Sequence, residues 1–469
     1  MDVEPRIMVL DAILERFVQA CPATVMARAT LERALEAGWV DRLFEEYRER
    51  QYTRELLFST TVELMTVVAL GLQPSIHAAA RTRQDIGVSL AALYDKINGT
   101  EVGLSRALVV GSAERLREVA RELRGGQAPI LSGYQVRVID GNHLPASEKR
   151  LAALRGLRGA ALPGHSLVVY DPDTRLVIDV VPCEDAYAQE RTLVPAILRS
   201  VSAGQVWMAD RNFSTTAILF GIHLADGAFV IREHGSSPHP EELGTAKHRS
   251  SVEAGEIYEQ AVRIEGDHGE TLVLRRIELR LHTPTENGET VIRILTNLPK
   301  SKSAEEVARA YRSRWKIENM FQWLESVLHS EVRTLGHPPA ALFAFAVAAV
   351  AYNALSVVQS AIEQTHDIKS EGDTAISLYY VMNAVKIEYR GMMVIVPSVS
   401  WETIGTMPPS QICKFLVQVA RAVDPRQFRK TKTGPKKIMK KGYAPGRVAR
   451  SHSSTARLLN SKKSSRKSP

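Results

Sequence analysis

Cysteine is scarce in this chain of 469 residues, and its three cysteines form no recognisable pattern. Cys21, Cys183 and Cys413 lie far apart, and none belongs to a Cys-x-x-Cys motif. An odd number of widely spaced cysteines does not suggest a disulfide framework. We therefore expect a reducing, cytoplasmic environment for this protein.

The sequence also offers no clear membrane span or export signal. The apolar segment at residues 340–352 stops at Asn353 after 13 residues, whereas a membrane helix needs about 18 or more. The N-terminal residues include acidic side chains where a secretory signal requires an apolar stretch. The pattern predicts a buried helix at 340–362, no export and no membrane partner.

Acidic residues are absent from the C-terminal segment. Residues 426–469 contain 15 Lys and Arg and no Asp or Glu, so the net charge of +8 resides in this tail, and the preceding residues are net negative. Such segments are expected to be disordered alone and are often nucleic-acid arms. A solubilising or unselected extension is the alternative to sequence-independent contact with DNA phosphates.

The length of the chain and its content of 45% hydrophobic and 24% charged residues predict a globular protein of two to four structural units. Residues 1–125 show helical periodicity throughout. Within them, two short helical patterns broken at Asn98-Gly99 are compatible with a helix-turn-helix, although a plain helical bundle explains them equally well.

The periodicity changes near residue 130. The pattern of residues 126–232 predicts a strand, a hairpin that turns at Asp171-Pro172-Asp173, and then a helix, a strand, a helix and a strand. Together these elements make a mixed α/β layer. Alternating runs at 233–290 predict an inserted antiparallel β subdomain. Residues 291–365 return to the α/β layer, beginning with a strand and a helix capped by Ser303, and residues 366–425 are predicted to be helical.

Asp140 and Asp210 each close a predicted strand. Asp140 ends YQVRVID and Asp210 ends QVWMAD. Ligand sites in open α/β sheets gather at such strand ends. Because aspartate also starts many ordinary turns, each of these residues alone is weak support for a site.

The segment that begins at Tyr311, YRSRWKIENMFQWLESV, is predicted to be a helix with polar residues beside its apolar face. At 100° per residue, Tyr311, Arg314 and Glu318 fall in one narrow stripe at the border of an arc that includes Ile317 and Leu324. A carboxylate on that border can reach the strand-end aspartates, whereas a glutamate on the exposed face would point away.

Asp140, Asp210 and Glu318 together would suit two Mg²⁺ (or Mn²⁺) ions, which prefer oxygen ligands. Two such ions can activate an attacking hydroxyl and stabilise the leaving oxygen in a displacement at phosphorus. Arg314, on the same stripe, supplies the charge needed to hold a phosphate.

The chain resembles the DDE transposases of bacterial insertion sequences, in the branch with a β-rich insertion and a Tyr-2-Arg-3-Glu-6-Lys signature. Tyr311, Arg314 and Glu318 match the first three signature positions, and Asp140 in VIDGNHL and Asp210 in ADRNF match the two aspartates of the family with their neighbours. The resemblance covers residues 130–335 well and the helical flanks loosely.

The resemblance implies an α/β fold with an RNase H-like, mixed-sheet catalytic core at 126–232 and 291–365, interrupted by the insertion and flanked by helical regions. It implies DNA cleavage and strand transfer, with Asp140, Asp210 and Glu318 as catalytic metal ligands. Tyr311 and Arg314 would contact the DNA backbone, as would Arg211 beside the second aspartate. Residues 1–125 would bind the terminal inverted repeats, target DNA would be the second DNA partner, and two copies would form a dimer on the paired ends.

Two departures from the family pattern accompany the resemblance. The signature lysine falls on Glu325, and residues 229–301 contain no tryptophan on which a flipped base could stack. Two other functions therefore stay open: a metal-dependent nuclease on the same core without strand transfer, and a decayed, DNA-binding relic of a transposase.

Overall fold

The computed structural model describes residues 12–53, 55–83, 86–125, 127–147, 151–156, 159–285, 288–369, 375–430 and 452–465. It divides into a helical unit, formed by residues 1–126, 145–163 and 323–469, and a sheet unit, formed by residues 127–144 and 164–322. The sheet unit thus interrupts the helical unit twice along the sequence.

The helices of the described residues are numbered in chain order. They are α1 (Ala12–Ala20), α2 (Pro22–Ala34), α3 (Ala37–Tyr47), α4 (Phe58–Ala69), α5 (Ile76–Arg81), α6 (Leu90–Asn98), α7 (Val102–Leu123), α8 (Val194–Leu198), α9 (Thr216–Leu224), α10 (Ala304–Arg312), α11 (Trp315–Ser326), α12 (Pro338–Thr365), α13 (Leu378–Ile395), α14 (Ser398–Gly405), α15 (Pro409–Ala420) and α16 (Thr455–Ser465). Short 3-10 turns occur at Ala152–Leu154, Glu190–Leu193, Arg211–Phe213 and Pro425–Phe428.

The strands are numbered in the same way. They are β1 (Gln135–His143), β2 (Ala160–Leu162), β3 (His165–Asp171), β4 (Leu176–Cys183), β5 (Gln205–Ala209), β6 (Ala228–Arg232), β7 (Glu241–Glu242), β8 (Lys247–Val252), β9 (Gly255–Glu265), β10 (Thr271–Leu281), β11 (Val291–Thr296) and β12 (His452–Ser454).

The sheet unit is built on one ten-stranded sheet with the order β4-β3-β1-β5-β6-β11-β10-β9-β7, with β8 also paired to β9. The central pairs β1–β5 and β5–β6 are parallel, and the flanking pairs are antiparallel. Apolar side chains of the central strands, such as Ile139, Trp207 and Phe229, pack with Ile218 and Leu219 of α9 into a buried core. A mixed α/β sheet was predicted, and the structure confirms it.

Local hydrogen bonds explain where two predicted elements turn or begin. The Asp171 carboxylate accepts hydrogen bonds from the backbone N–H groups of Asp173 and Thr174, which closes the hairpin between β3 and β4. Ser303 and Glu306 form a reciprocal capping box at the start of α10. The sequence predicted both features, because Asp and Ser side chains satisfy exposed backbone groups at turns and helix ends.

The insertion is continuous with the core sheet. Strand β11 pairs with β6 of the core, β10 pairs with β11, and β9 pairs with β10. Residues 233–290 were predicted as an inserted β subdomain. The strands of this segment pair antiparallel and join the core sheet through β11, which pairs with the edge of β6.

The helical unit is organised around α12, the one helix among the described residues with the length and apolarity of a membrane span. Its apolar window is completely buried, and α2, α4, α7 and α15 pack against it. The sequence predicted a buried helix here. Residues 291–365 were assigned as a whole to the catalytic core, whereas in the structure the chain from Trp323 onward belongs to the helical unit.

Part of the C-terminal tail is ordered. The predicted disorder of residues 426–469 is wrong for 426–430, where a 3-10 turn ends at Phe428 and Arg429 bridges to Ile376. It is also wrong for 452–465, where β12 pairs in parallel with β2 and α16 follows. The three-residue β12 gains its order from backbone pairing and from burial of Ser454 and Thr455, so its low apolar content did not reveal it. Residues 431–451 and 466–469 lie outside the described residues.

Candidate active site

Strands β1 and β5 bring the two predicted aspartates side by side. The strands are parallel neighbours whose register pairs Gln135 with Gln205 and Val138 with Met208. Continued by two residues, the same register aligns Asp140 with Asp210. The structure therefore places Asp140 and Asp210, which are 70 positions apart in the sequence, beside each other on two central strands of the sheet.

Asp140 does not end its strand as predicted. Strand β1 continues to His143, because its antiparallel pairing with β3 extends to the pair of His143 and His165. Asp140 nevertheless lies beyond the last residue pair between β1 and β5. Its Oδ1 accepts a hydrogen bond of 3.0 Å from the backbone N–H of Gly141.

Asp210 follows β5 directly, as predicted. It caps the 3-10 turn Arg211–Phe213, and its Oδ1 accepts a hydrogen bond of 2.8 Å from the backbone N–H of Asn212. This turn fixes the direction of the carboxylate at the end of a buried strand.

The continuous helix predicted from Tyr311 is wrong. Helix α10 ends at Arg312 and α11 begins at Trp315, with a turn at Ser313 and Arg314 between them. The Ser313 hydroxyl donates a 2.6 Å hydrogen bond to the carbonyl of Ala310, and such local bonds compete with regular helix. Arg314 therefore extends from a turn.

Arg314 connects two of the three predicted metal ligands. Its Nη1 lies 3.2 Å from Asp140 Oδ2, and its Nη2 lies 2.8 Å from Glu318 Oε1. The Arg314 side chain is only 11% exposed, and its guanidinium carbon is 6.0 Å from the centre of the Tyr311 ring. The stripe predicted from the sequence is thus one connected cluster.

The surroundings of Asp140 disfavour its charged form. Burial, the largest effect, raises the pKa of Asp140 to about 7. The positive charge of Arg314 opposes this shift, and the negative charges of Asp210 and Glu190 add to it. The site therefore carries more negative charge than Arg314 alone compensates.

Within the described part of the chain, no three His, Cys, Asp or Glu side chains are close enough together to hold a metal ion. The guanidinium of Arg314 instead lies between Asp140 and Glu318. The donor set still fits a hard divalent cation, because Asp140 within β1 and Asp210 directly after β5 present carboxylate oxygens where positive charge is deficient.

The other two predicted DNA-binding residues differ in exposure. Tyr311 is 8% exposed, and burial raises the pKa of its hydroxyl. The Arg211 side chain is largely exposed, and its Nη1 lies 3.2 Å from Glu289 Oε1, which also pairs with Arg232 at 2.6 Å. Arg211 can therefore meet solvent beside Asp210, whereas Tyr311 packs inside the cluster.

Glu325, at the position of the signature lysine, is an exposed residue of α11. It lies near a second carboxylate: burial first, and then the charge of Glu325, raises the pKa of Glu331. Glu325 and Glu331 thus place negative charge in the region where the family signature has a lysine.

Sequence reasoning missed Glu190, Asn212 and His143. Asn212 Nδ2 donates a 3.1 Å hydrogen bond to Glu190 Oε2, and His143 Nδ1 lies 3.5 Å from Glu190 Oε1. The sequence pattern assigned Glu190 to the helix predicted after the hairpin, where a glutamate has no special meaning. Asn212 and His143 lie two and three residues after the aspartates, and this proximity is the one signal that indicated them.

Residues 131–354 match a protein-family model described as a transposase DDE domain. The matched region contains both strand-end aspartates and the Tyr311–Arg314–Glu318 cluster. No curated protein shows significant similarity to this sequence.

Proposed function

We propose that this chain, whose residues 131–354 match a transposase DDE domain, is a transposase of insertion-sequence type that cuts the ends of a mobile DNA element and joins them to target DNA. The observation that carries the proposal is the register of β1 and β5, which aligns Asp140 with Asp210, while Arg314 ties Glu318 to the same point.

Asp140, Asp210 and Glu318 would hold two Mg²⁺ or Mn²⁺ ions. When bound, these ions would activate the attacking hydroxyl and stabilise the leaving oxygen at phosphorus. For this, the three carboxylates would have to approach one another against their mutual repulsion, and Arg314 reduces that repulsion by pairing with two of them.

Arg314 and Arg211 are the groups that we assign to the DNA backbone. A guanidinium matches the geometry of a phosphate and can form two parallel hydrogen bonds with it. Tyr311 would support Arg314 from its buried position. The nucleophile would be water in the nicking step and a DNA 3′-hydroxyl in the joining step, so the protein contributes position and charge and forms no covalent intermediate.

Residues 1–125 would recognise the terminal repeats, and the basic segment after Arg426 would add sequence-independent contacts with phosphates. Joining of two ends implies a dimer on DNA. The scarcity of cysteine supports action in the cytoplasm.

The test uses duplexes that carry the DNA flanking the coding sequence, incubated with full-length protein and Mg²⁺ or Mn²⁺. Asp140→Asn, Asp210→Asn and Glu318→Gln should each lower cleavage by about 100- to 1,000-fold or more, as expected when one group that stabilises charge is removed. Glu265→Gln, at an exposed position of β9, is the matched control. Activity retained by one of the three variants would remove that residue from the site.

The same assay separates the proposal from its alternatives when pre-cut ends with free 3′-hydroxyls are supplied with target DNA. Joined products support a transposase. Cleavage without joining indicates a nuclease, and binding of the ends without cleavage indicates a relic.

A further inference from the structure

Glu190 is placed at the site by the segment that follows β4. It is the first residue of the 3-10 turn Glu190–Leu193, and its side chain is 18% exposed. The carboxylate is directed toward β1 and the loop after β5. Glu190 thus contacts residues next to both Asp140 and Asp210.

The first contact is with the backbone beside Asp140. A Cβ atom at Gly141 would lie 2.0 Å from Glu190 Oε1, a distance at which the two heavy atoms would clash. Glycine at position 141 is therefore required for Glu190 to pack where it does. The carboxylate in turn restricts where this part of β1 can move.

The second contact reaches Asp210 through one intermediate. Asn212 donates its side-chain N–H to Glu190 Oε2 at 3.1 Å and its backbone N–H to Asp210 Oδ1 at 2.8 Å. Both hydrogen bonds come from the same residue, so a displacement of Glu190 would shift the turn that orients Asp210.

His143 completes the surroundings of this carboxylate. Its Nδ1 is 3.5 Å from Glu190 Oε1, and its ring stacks on the buried His165 ring with centroids 5.0 Å apart. Because His165 is fully buried, this stack fixes one side of the space that Glu190 occupies.

We infer that Glu190 is a positioning residue of the transposase reaction, which holds Asp140 and Asp210 at their working separation through Gly141 and Asn212. The inference rests on the proposed function, because it assigns a task in the chemistry of those two aspartates. Groups that orient metal-binding side chains contribute about 10- to 100-fold in metal affinity or activity.

The experiment compares Glu190→Ala, Glu190→Gln and Asn212→Ala with Gln189→Ala, which removes an exposed side chain from the neighbouring position. Mn²⁺ affinity is measured by calorimetry, and single-turnover cleavage of the element ends is measured across a range of Mg²⁺ concentrations. Thermal unfolding checks that each variant is folded.

Glu190→Ala and Asn212→Ala should each weaken Mn²⁺ binding and slow cleavage by about 10-fold or more. Glu190→Gln should stay within a few-fold of wild type, because its amide oxygen can still accept the hydrogen bond from Asn212. The double variant Glu190→Ala/Asn212→Ala should be no worse than Glu190→Ala alone, since the Asn212 side chain acts through its hydrogen bond to Glu190.

Wild-type affinity and rate in folded Glu190→Ala would overturn the inference, as would additive losses in the double variant. If Glu190→Ala does not fold, loss of function in a folded Glu190→Gln, or Mn²⁺ binding unchanged in Asn212→Ala, overturns it. Failure of the proposed function looks different, because wild type itself would then not cleave, while calorimetry would still report the effect of Glu190 on Mn²⁺ binding.

Discussion

Asp140 pairs with Arg314, yet its surroundings favour the protonated carboxyl group. Its side chain is 19% exposed, so little water remains to stabilise the charge, and two other carboxylates stand nearby. The same negative charge, held away from solvent, that disfavours the ionised carboxylate would favour a bound cation.

The unfavourable surroundings of the charged Asp140 carboxylate should make the unfolding free energy of the protein depend on pH. The pKa of Asp140 is raised from 3.8 to about 7 in the folded protein, so the folded state binds the proton more tightly than the unfolded state. The stabilising contribution is fully present below about pH 4 and is lost as the pH rises to about 7. Asp140→Asn removes this dependence.

In denaturant unfolding without divalent cations, wild type should therefore lose roughly 2 kcal/mol of unfolding free energy relative to Asp140→Asn between pH 5 and pH 7. Asp267→Asn, in an exposed turn, provides the control. Parallel pH curves for wild type and Asp140→Asn would contradict the prediction.

The residues found from the sequence and those missed differ in what specifies them. Asp210 was predictable because a strand rich in apolar residues ends immediately before it. Glu190 was not, because its role depends on a contact with Asn212, 22 positions away, and on the missing side chain of Gly141. Local periodicity contains no information about such contacts.

At the scale of secondary structure, the break between α10 and α11 is the main departure from expectation. The helical spacing of Tyr311, Arg314 and Glu318 predicted their common face correctly, because the turn at Ser313 keeps a nearly helical path: Lys316 N bonds to Ser313 O, and Ile317 N bonds to Arg314 O. Periodicity identifies the face of a segment, but it does not detect a serine that bonds back to the chain.

Helix α11 also carries the substitution of the signature lysine. Glu325→Lys should replace the repulsion of Glu331 by attraction and place a positive charge at an exposed position. If that position faces DNA, binding of the element ends should tighten, and its salt dependence should steepen by about one phosphate contact.

Gel shifts at several salt concentrations measure both effects of Glu325→Lys. Glu265→Lys adds the same charge at an exposed position of β9 and serves as the matched control. Equal salt dependence for wild type and Glu325→Lys would show that position 325 makes no phosphate contact.

At the scale of the whole molecule, both units are formed by segments that are not consecutive in the sequence. Residues 145–163 belong to the helical unit although they lie between β1 and β3 of the sheet unit. Their strand β2 pairs with β12 near the C-terminus, and α16 packs against the 3-10 turn Ala152–Leu154. The end of the chain therefore holds an early segment in place.

Truncation after Ser451 should make residues 145–163 sensitive to limited trypsin digestion, because it removes the only strand paired with β2 among the described residues. Truncation after Ser465 retains β12 and α16 and should behave as wild type. The cut sites can be identified by mass spectrometry. Equal resistance of the two truncated proteins would show that β12 does not support this segment.

Sequence periodicity distinguished the helical from the α/β regions. It did not predict that residues 145–163, between two strands of the sheet unit, belong to the helical unit. The change of period near residue 130 lies close to Gln127, where the sheet unit begins. The pairing of β2 with β12 joins residues almost 300 positions apart by backbone hydrogen bonds, to which any side-chain sequence can contribute.

The continuity of the sheet from β1 to β9 also has a mechanical consequence. A pull along the insertion strands would load the β6–β11 and β11–β10 ladders in shear, so that many hydrogen bonds would have to break together. The strands next to Asp140 and Asp210 thus belong to the same hydrogen-bonded sheet as the insertion, so a force applied to the insertion strands would be transmitted to them through these ladders.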